Sequence, residues 1–256
     1  MKAFNSLFKR ELYGCFLSPV AYAVLGIFLL LCGYFFSRSI AYFGYLSIQA
    51  GYDASLQSHV NSNELIIRPL LANITLMLIF LIPLLTMRTF SDEKKQGTLE
   101  LLLSFPASDT AIVLAKNTAC FIVVLLGLLG TAVYPAILFV IGHPESGPVF
   151  TGYLGLVLLA GSLVSVGTLF SIFTESQTVA AVSAFGLILL LWSLAWFADF
   201  VPGRAGLILN ELSLQSHFQS FARGEVSTRD IIYFLNISIF FNFFSIQVLK
   251  RGIRCR

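Results

Sequence analysis

Residues able to act as nucleophiles, acid–base groups or metal ligands are few in this sequence, and they are scattered. The three histidines are His59, His143 and His217, and the four cysteines are Cys15, Cys32, Cys120 and Cys255. No CxxC pair is present and no histidine stands at ligand spacing from a cysteine, which argues against a metal site or a disulfide framework. An intramembrane enzyme needs a nucleophile with a base, or paired carboxylates, close to the bilayer. Here all three histidines fall in connecting loops, and no acidic residue sits centrally in an apolar run. A Gly-x4-Gly-Lys-Ser/Thr loop, which would cradle nucleotide phosphates, is also missing. The expectation is a chain with no catalytic site, metal or cofactor of its own.

The elements around these residues are overwhelmingly apolar. Hydrophobic residues make up 57% of the 256 and charged residues 11%, with a mean hydropathy of +0.86. An ordinary soluble domain carries about 25% charged residues, and a globule of this length needs polar side chains to cover its surface. Lipid best explains the missing polar coat. The net charge of +3 is small, and nucleic acid is not an expected partner.

About 20 apolar residues cross roughly 30 Å of hydrocarbon. Six stretches qualify, near residues 17–37, 69–87, 118–141, 152–173, 178–197 and 231–249. Pro135 is expected to kink the third. Before the first, MKAFNSLFKREL puts Phe4, Leu7, Phe8 and Leu12 on one face of a helix, which reads as a short interfacial helix. The loops near residues 38–64 and 199–230 are the only long ones, so residues 1–256 read as one membrane domain.

Six spans leave both termini on one side. With the termini inside, that side holds Lys2, Lys9, Arg10, Arg88, Lys94, Lys95, Lys116, Lys250, Arg251, Arg254 and Arg256, eleven of the sixteen basic residues. The positive-inside rule therefore makes both termini cytoplasmic. Aromatic residues near the far ends of spans one and five, among them Tyr34, Tyr42, Tyr45, Trp192 and Trp196, suit a membrane interface.

The loop between spans two and three carries the functional reading. Gly97 suits a helix C-terminus and Thr98 the N-cap of the next helix, which Pro106 limits to about two turns. Leu99-Glu-Leu-Leu-Leu103 is strongly apolar although it follows a charged run. Such a helix either lies in the headgroup layer or is gripped by a partner in a groove. Ser108 can cap the helix that leads through Lys116 into span three.

Phe90-Ser-Asp-Glu-Lys-Lys-Gln-Gly-Thr-Leu-Glu-Leu-Leu-Leu-Ser-Phe-Pro-Ala-Ser-Asp109, followed by Ile112-Val-Leu-Ala-Lys116, resembles the signature of ABC-2 type transporter permeases. His217-Phe-Gln-Ser-Phe-Ala-Arg-Gly-Glu-Val-Ser-Thr-Arg-Asp230 is similar to the last outer loop of the gliding-motility-type branch of that family. The resemblance implies an all-α membrane fold with a cytoplasmic coupling helix between spans two and three and a short outer helical element before span six. It implies ATPase-facing roles for Glu93, Gly97, Thr98, Glu100, Leu101 and Leu102, and an outer gate that includes His217, Phe218, Arg223, Arg229 and Asp230. The partners it implies are a separate ABC ATPase that binds ATP and Mg, a second permease copy or paralogue, and the lipid of a bacterial inner membrane. The expected function is the permease subunit of an exporter; the alternatives are a passive channel or scaffold subunit, or an intramembrane enzyme.

Small residues crowd the fourth and fifth spans. Gly161 and Ser165, and Ala180 and Ala184, have the spacing that lets helices approach closely, within one subunit or across a dimer seam. Asn73, Thr75, Asn117, Asn236 and Asn242 lie at membrane depth and are expected to hydrogen-bond between helices or line a path.

Overall fold

Long apolar runs satisfy their backbone in lipid by bonding it internally, and the computed structural model is helical accordingly, with no strand among the described residues. It describes residues 2–17, 19–52, 61–99, 108–142 and 144–254. Eleven α-helices follow in order among these. They are α1 (Lys2–Leu17), α2 (Pro19–Ala50), α3 (Arg68–Thr86), α4 (Arg88–Lys95), α5 (Asp109–Thr131), α6 (Val133–Ile141), α7 (Ser146–Phe173), α8 (Gln177–Ala198), α9 (Arg204–Leu212), α10 (Leu214–Ala222) and α11 (Thr228–Arg254). A π-helical turn, Asn63–Ile67, leads into α3. Six helical stretches are long and apolar enough to cross a membrane, beginning at Pro19, Asn63, Asp109, Ser146, Gln177 and Thr228.

The expected spans are all present, but several helices run past them. The first does not stop near Ser37; it continues to Ala50. At 1.5 Å per residue a helix of 32 residues is about 48 Å long, more than the hydrocarbon requires. Its distal serines donate to carbonyls one turn back: Ser37 to Gly33, Ser39 to Phe35 and Ser47 to Phe43. The second helical stretch runs from Asn63 to Lys95. In the third, the break falls at Ala132, between α5 and α6, three residues before Pro135. A proline ring collides with the carbonyl four residues earlier, here that of Thr131, so the distortion lies ahead of the proline.

The single outer element expected before span six is a pair of helices, α9 and α10. In the second, Leu214, His217, Phe218 and Phe221 are buried against the bundle.

The bundle is organised around α7. In its most apolar window 72% of residues are buried, against 11% for the last span. Its glycines explain the difference. A Cβ at Gly152 would overlap Leu71, one at Gly155 would lie 2.7 Å from the Phe221 Cβ, and one at Gly167 would overlap Thr86 Oγ1. Thus α3 and α10 approach α7 as closely as backbone and side chain allow. Ser165 and Ala184 are likewise buried within the subunit.

Asn117 of α5, Ser165 of α7 and Asn242 of α11 form the polar link inside this bundle. The Asn117 amide donates to Asn242 Oδ1 (2.7 Å) and Ser165 Oγ (3.2 Å), and the Asn242 amide donates to Ser165 Oγ (2.8 Å) and the Ser238 carbonyl (2.8 Å). Interhelical bonding is therefore the role the structure gives Asn117 and Asn242.

Glycine at 167 is a steric requirement, whereas Gly186 of α8 has open space at its Cβ position. Gly167→Ala should lower the unfolding free energy in detergent by about 1–3 kcal/mol despite better helix propensity. Gly186→Ala should be neutral or stabilising by up to about 1 kcal/mol. Thermal unfolding of the two purified variants checks the contrast.

Candidate functional site

At the end of the bundle that carries both termini, α4 continues the line of α3 and ends in the sequence Lys94-Lys95-Gln96-Gly97-Thr98. Gly97 adopts φ +70°, a left-handed conformation that favours glycine. Its N–H donates to the Lys94 carbonyl (3.1 Å) and the Thr98 N–H to the Glu93 carbonyl (3.0 Å). That pair of bonds is a Schellman cap, and it turns the chain toward Leu99. The expected helix end at Gly97 is borne out. The expected cap at Ser108 is also present, with Ser108 Oγ accepting from the Ala111 N–H at 3.3 Å.

A buried cation fixes α4 in place. Lys116, on α5, has a side chain 3% exposed. Its Nζ lies 3.0 Å from Glu11 Oε2 of α1 and 3.0 Å from Glu93 Oε1 of α4, and it donates to the Thr89 carbonyl at 2.8 Å. It also lies 5.1 Å from the centre of the Phe90 ring. Arg10 of α1 joins both carboxylates, 2.7 Å from Glu11 and 3.5 Å from Glu93. Burial pushes the Glu11 carboxyl up, but Lys116 and Arg10 outweigh it and hold the group below its ordinary value. Three helices meet on one ammonium.

Two further contacts hold α4. Ser171 of α7 accepts from the Phe90 and Ser91 N–H groups (2.9 and 3.2 Å) and donates to the Met87 carbonyl (3.0 Å). One hydroxyl thus stitches the α3–α4 junction to α7. Gln177, at the start of α8, donates to Asp92. Beneath these polar bonds, Phe90, Ile112, Val113, Ile172 and Leu249 form a small apolar core, against which Leu7 and Leu99 pack.

Of the residues expected to face an ATPase, the structure brings Glu93, on the last turn of α4, together with Gly97 and Thr98 of the cap that follows it. Glu93 is largely engaged within the subunit, by Lys116 and Arg10, while Gly97 is exposed. Glu100, Leu101 and Leu102 lie outside the described residues, as does the rest of the expected coupling helix after Leu99. Sequence reasoning missed Arg10, Glu11, Asp92, Ser171 and Gln177. For Glu11 a signal existed: a lysine flanked by apolar residues demands an acidic partner.

At the opposite end, four of the five gate candidates gather at the foot of α11. His217 Nδ1 lies 2.6 Å from Asp230 Oδ1 and Nε2 lies 2.9 Å from the Glu211 carbonyl. A carbonyl only accepts, so the Glu211 contact calls for a hydrogen on Nε2. Tyr233 stacks on the ring at 3.8 Å and donates to the Leu212 carbonyl at 2.6 Å. Arg229 pairs with Glu211. Phe218 is buried beside Phe221, while the Arg223 side chain is exposed and stands apart from the cluster. The Asp230 carboxylate is taken by His217.

Among the described residues no group of three or more His, Cys, Asp or Glu is gathered as a metal site. The arrangement defines a multi-pass helical membrane protein with a rigidly held elbow at one end and a capped helical hairpin at the other. The family model described as "ABC-2 family transporter protein" matches residues 21–250. The chain therefore belongs to the ABC-2 family and is a transporter membrane subunit. No curated protein matches the sequence.

Removing one partner of a buried ion pair typically costs 3–5 kcal/mol, whereas the half-exposed Arg10 contributes about 0–1 kcal/mol. Lys116→Met should therefore lower unfolding stability by about 3–5 kcal/mol and Arg10→Gln by about 1 kcal/mol at most. Denaturant or thermal unfolding in detergent distinguishes the two.

Proposed function

We propose that this chain is the permease subunit of an ATP-driven exporter in a bacterial inner membrane, with both termini cytoplasmic. A separate ABC ATPase binds ATP and Mg and docks on the segment from Glu93 through Leu102. The chain itself carries no catalysis. The observation that supports this reading is the anchoring of α4 by α1, α5, α7 and α8 at once, together with the Gly97 cap that aims the chain into the apolar run Leu99–Leu103. A helix that only rested in the headgroup layer would have no need of that anchorage. The basic residues on the terminal side support the cytoplasmic placement.

Work would pass through contact. Closure of two ATPase subunits pushes the segment after Gly97, and α4 moves with α5 through Lys116 and with α7 through Ser171. Because α10 packs on α7 at Gly155, a tilt of α7 is felt at the hairpin on the far side. Two ATPases require two membrane halves, so a second copy of this chain or a paralogue completes the transporter. Export is the direction favoured by the family, and the last outer loop is similar to that of the gliding-motility-type branch. Arg223 and Arg229, on the outer side, belong to the gate region of this scheme.

Coexpression of the tagged chain with its ATPase subunit tests the reading. Copurification in detergent is expected, and both Leu101→Asp and Glu100→Arg should abolish it while membrane insertion is retained. If no ATPase binds, or the variants bind normally, the loop is an interfacial helix and the chain a channel or scaffold subunit.

A further inference from the structure

The first span keeps one face for its own subunit. Phe28, Cys32 and Phe36 of α2 are buried. Leu25 and Leu29 occupy the space a Cβ would need at Gly127 and Gly130 of α5, and the Tyr134 hydroxyl donates to the Leu29 carbonyl at 2.6 Å. The opposite face is bare. From Val20 to Ile48 its exposed residues recur at alternating intervals of three and four without a break, which is the seven-residue repeat of a parallel helix pair. Val20, Ala23, Ile27, Leu30 and Tyr34 make the first half of this seam, and Ser37, Ala41, Gly44 and Ile48 the second. Arg38, the only charged residue of α2, stands beside the seam and not on it.

Lipid accounts for the first half of that face only. Pro19 to Arg38 measures about 30 Å, the depth of the hydrocarbon, and an exposed arginine belongs at its edge. To keep all 32 residues among the lipid tails, α2 would have to tilt by about 50°, past the 0–40° that spanning helices adopt. The segment from Ser39 to Ala50 therefore extends beyond the tails, and Ala41, Gly44 and Ile48 stay on the same line there. The exposed face of α8 has no such extension, because its 22 residues rise only about 33 Å. The small residues of the outer half also lack a use within the subunit. A Cβ at Gly44 would meet nothing within 4 Å among the described residues, whereas Ser165 and Ala184 are buried inside the bundle.

We propose that this seam is where two copies of the chain meet, α2 against α2 of the second copy, parallel and in register about a two-fold axis along the membrane normal. An axis in that direction leaves both copies with the same topology and sets each seam residue opposite its own counterpart. Ser37, Ala41 and Gly44 let the two backbones close together in the outer half, while Ile27, Leu30 and Tyr34 interlock in the inner half. The area is sufficient. Ile27, Leu30, Tyr34 and Ile48 are 58–76% exposed, and with the flanking Leu31 and Tyr45 they offer roughly 500 Å². The small residues between them bring each copy to the roughly 600 Å² at which stable interfaces begin. The inference rests on the proposed reading for the need of two membrane halves, and not for the docking of an ATPase.

The test is cysteine crosslinking of the full-length chain in native membranes, expressed without an ATPase and with its four cysteines replaced by alanine. Ala41→Cys and Gly44→Cys, oxidised with copper phenanthroline, should each give a disulfide-linked dimer. Tyr42→Cys, also exposed but off the seam, should crosslink about tenfold less or not at all, because a disulfide needs Cα atoms roughly 4.4–6.8 Å apart. A second measurement keeps the native cysteines. The wild-type chain should sediment as a dimer in detergent, and Gly44→Ile, which holds the two backbones apart, should be monomeric at the same concentration with unchanged helix content. Crosslinking at neither seam position, crosslinking of Tyr42→Cys as readily as Ala41→Cys, or a Gly44→Ile chain that stays dimeric would overturn the inference. A chain that fails these tests yet copurifies with its ATPase leaves the coupling reading intact, and one that crosslinks at the seam but binds no ATPase supports the seam alone.

Discussion

One buried ammonium constrains the end of this protein where its function is read. Lys116 is nearly inaccessible, and an isolated charge in such a place would be neutralised or expelled. It is kept by Glu11, Glu93 and the Thr89 carbonyl, which come from two helices other than its own. The requirement to surround that charge thus dictates where the N-terminal helix and the elbow after the second span must lie. Side-chain entropy and salt dissolve most surface ion pairs; this one is sheltered from both, and Phe90 covers it.

From that junction the constraint passes to α7. Ser171 caps the α3–α4 break from the α7 side, and glycines at 152, 155 and 167 let α3 and α10 press against the same helix. One helix therefore touches the elbow at one end and the hairpin at the other. Packed interfaces tend to move as units and not to deform continuously. On the proposed reading this is how a push on the loop after Gly97 reaches His217, Asp230 and their neighbours without any charged path through the membrane.

Much of this was legible in the sequence because it depends on local physics. Apolar length identified the six spans, Gly97 and Ser108 announced their caps, and the loop motif identified the family that the later match over residues 21–250 upheld. What escaped depended on contacts between distant positions. Nothing around Ser171 distinguishes a serine that stitches two helices from one that bonds to its own turn. Helix ends were misplaced where α2 continues to Ala50 and where Pro135 acts on the turn before it. The outer helical element before span six was expected from the resemblance, but its burial was not, because the room for Phe221 is made by a glycine 66 positions earlier, at 155.

The central claim is that Lys116 holds α4, and with it the segment offered to a partner, against the spans. Amide hydrogen exchange followed by mass spectrometry tests it most directly, comparing the wild-type chain with Lys116→Met. The account predicts that amides from Arg88 to Leu99 exchange about tenfold faster or more in the variant, as local opening becomes easier. Those of the hairpin from Arg204 to Ala222 should be unchanged. Equal exchange across Arg88–Leu99 in the two proteins would contradict it, because the elbow would then be held by something other than the buried charge.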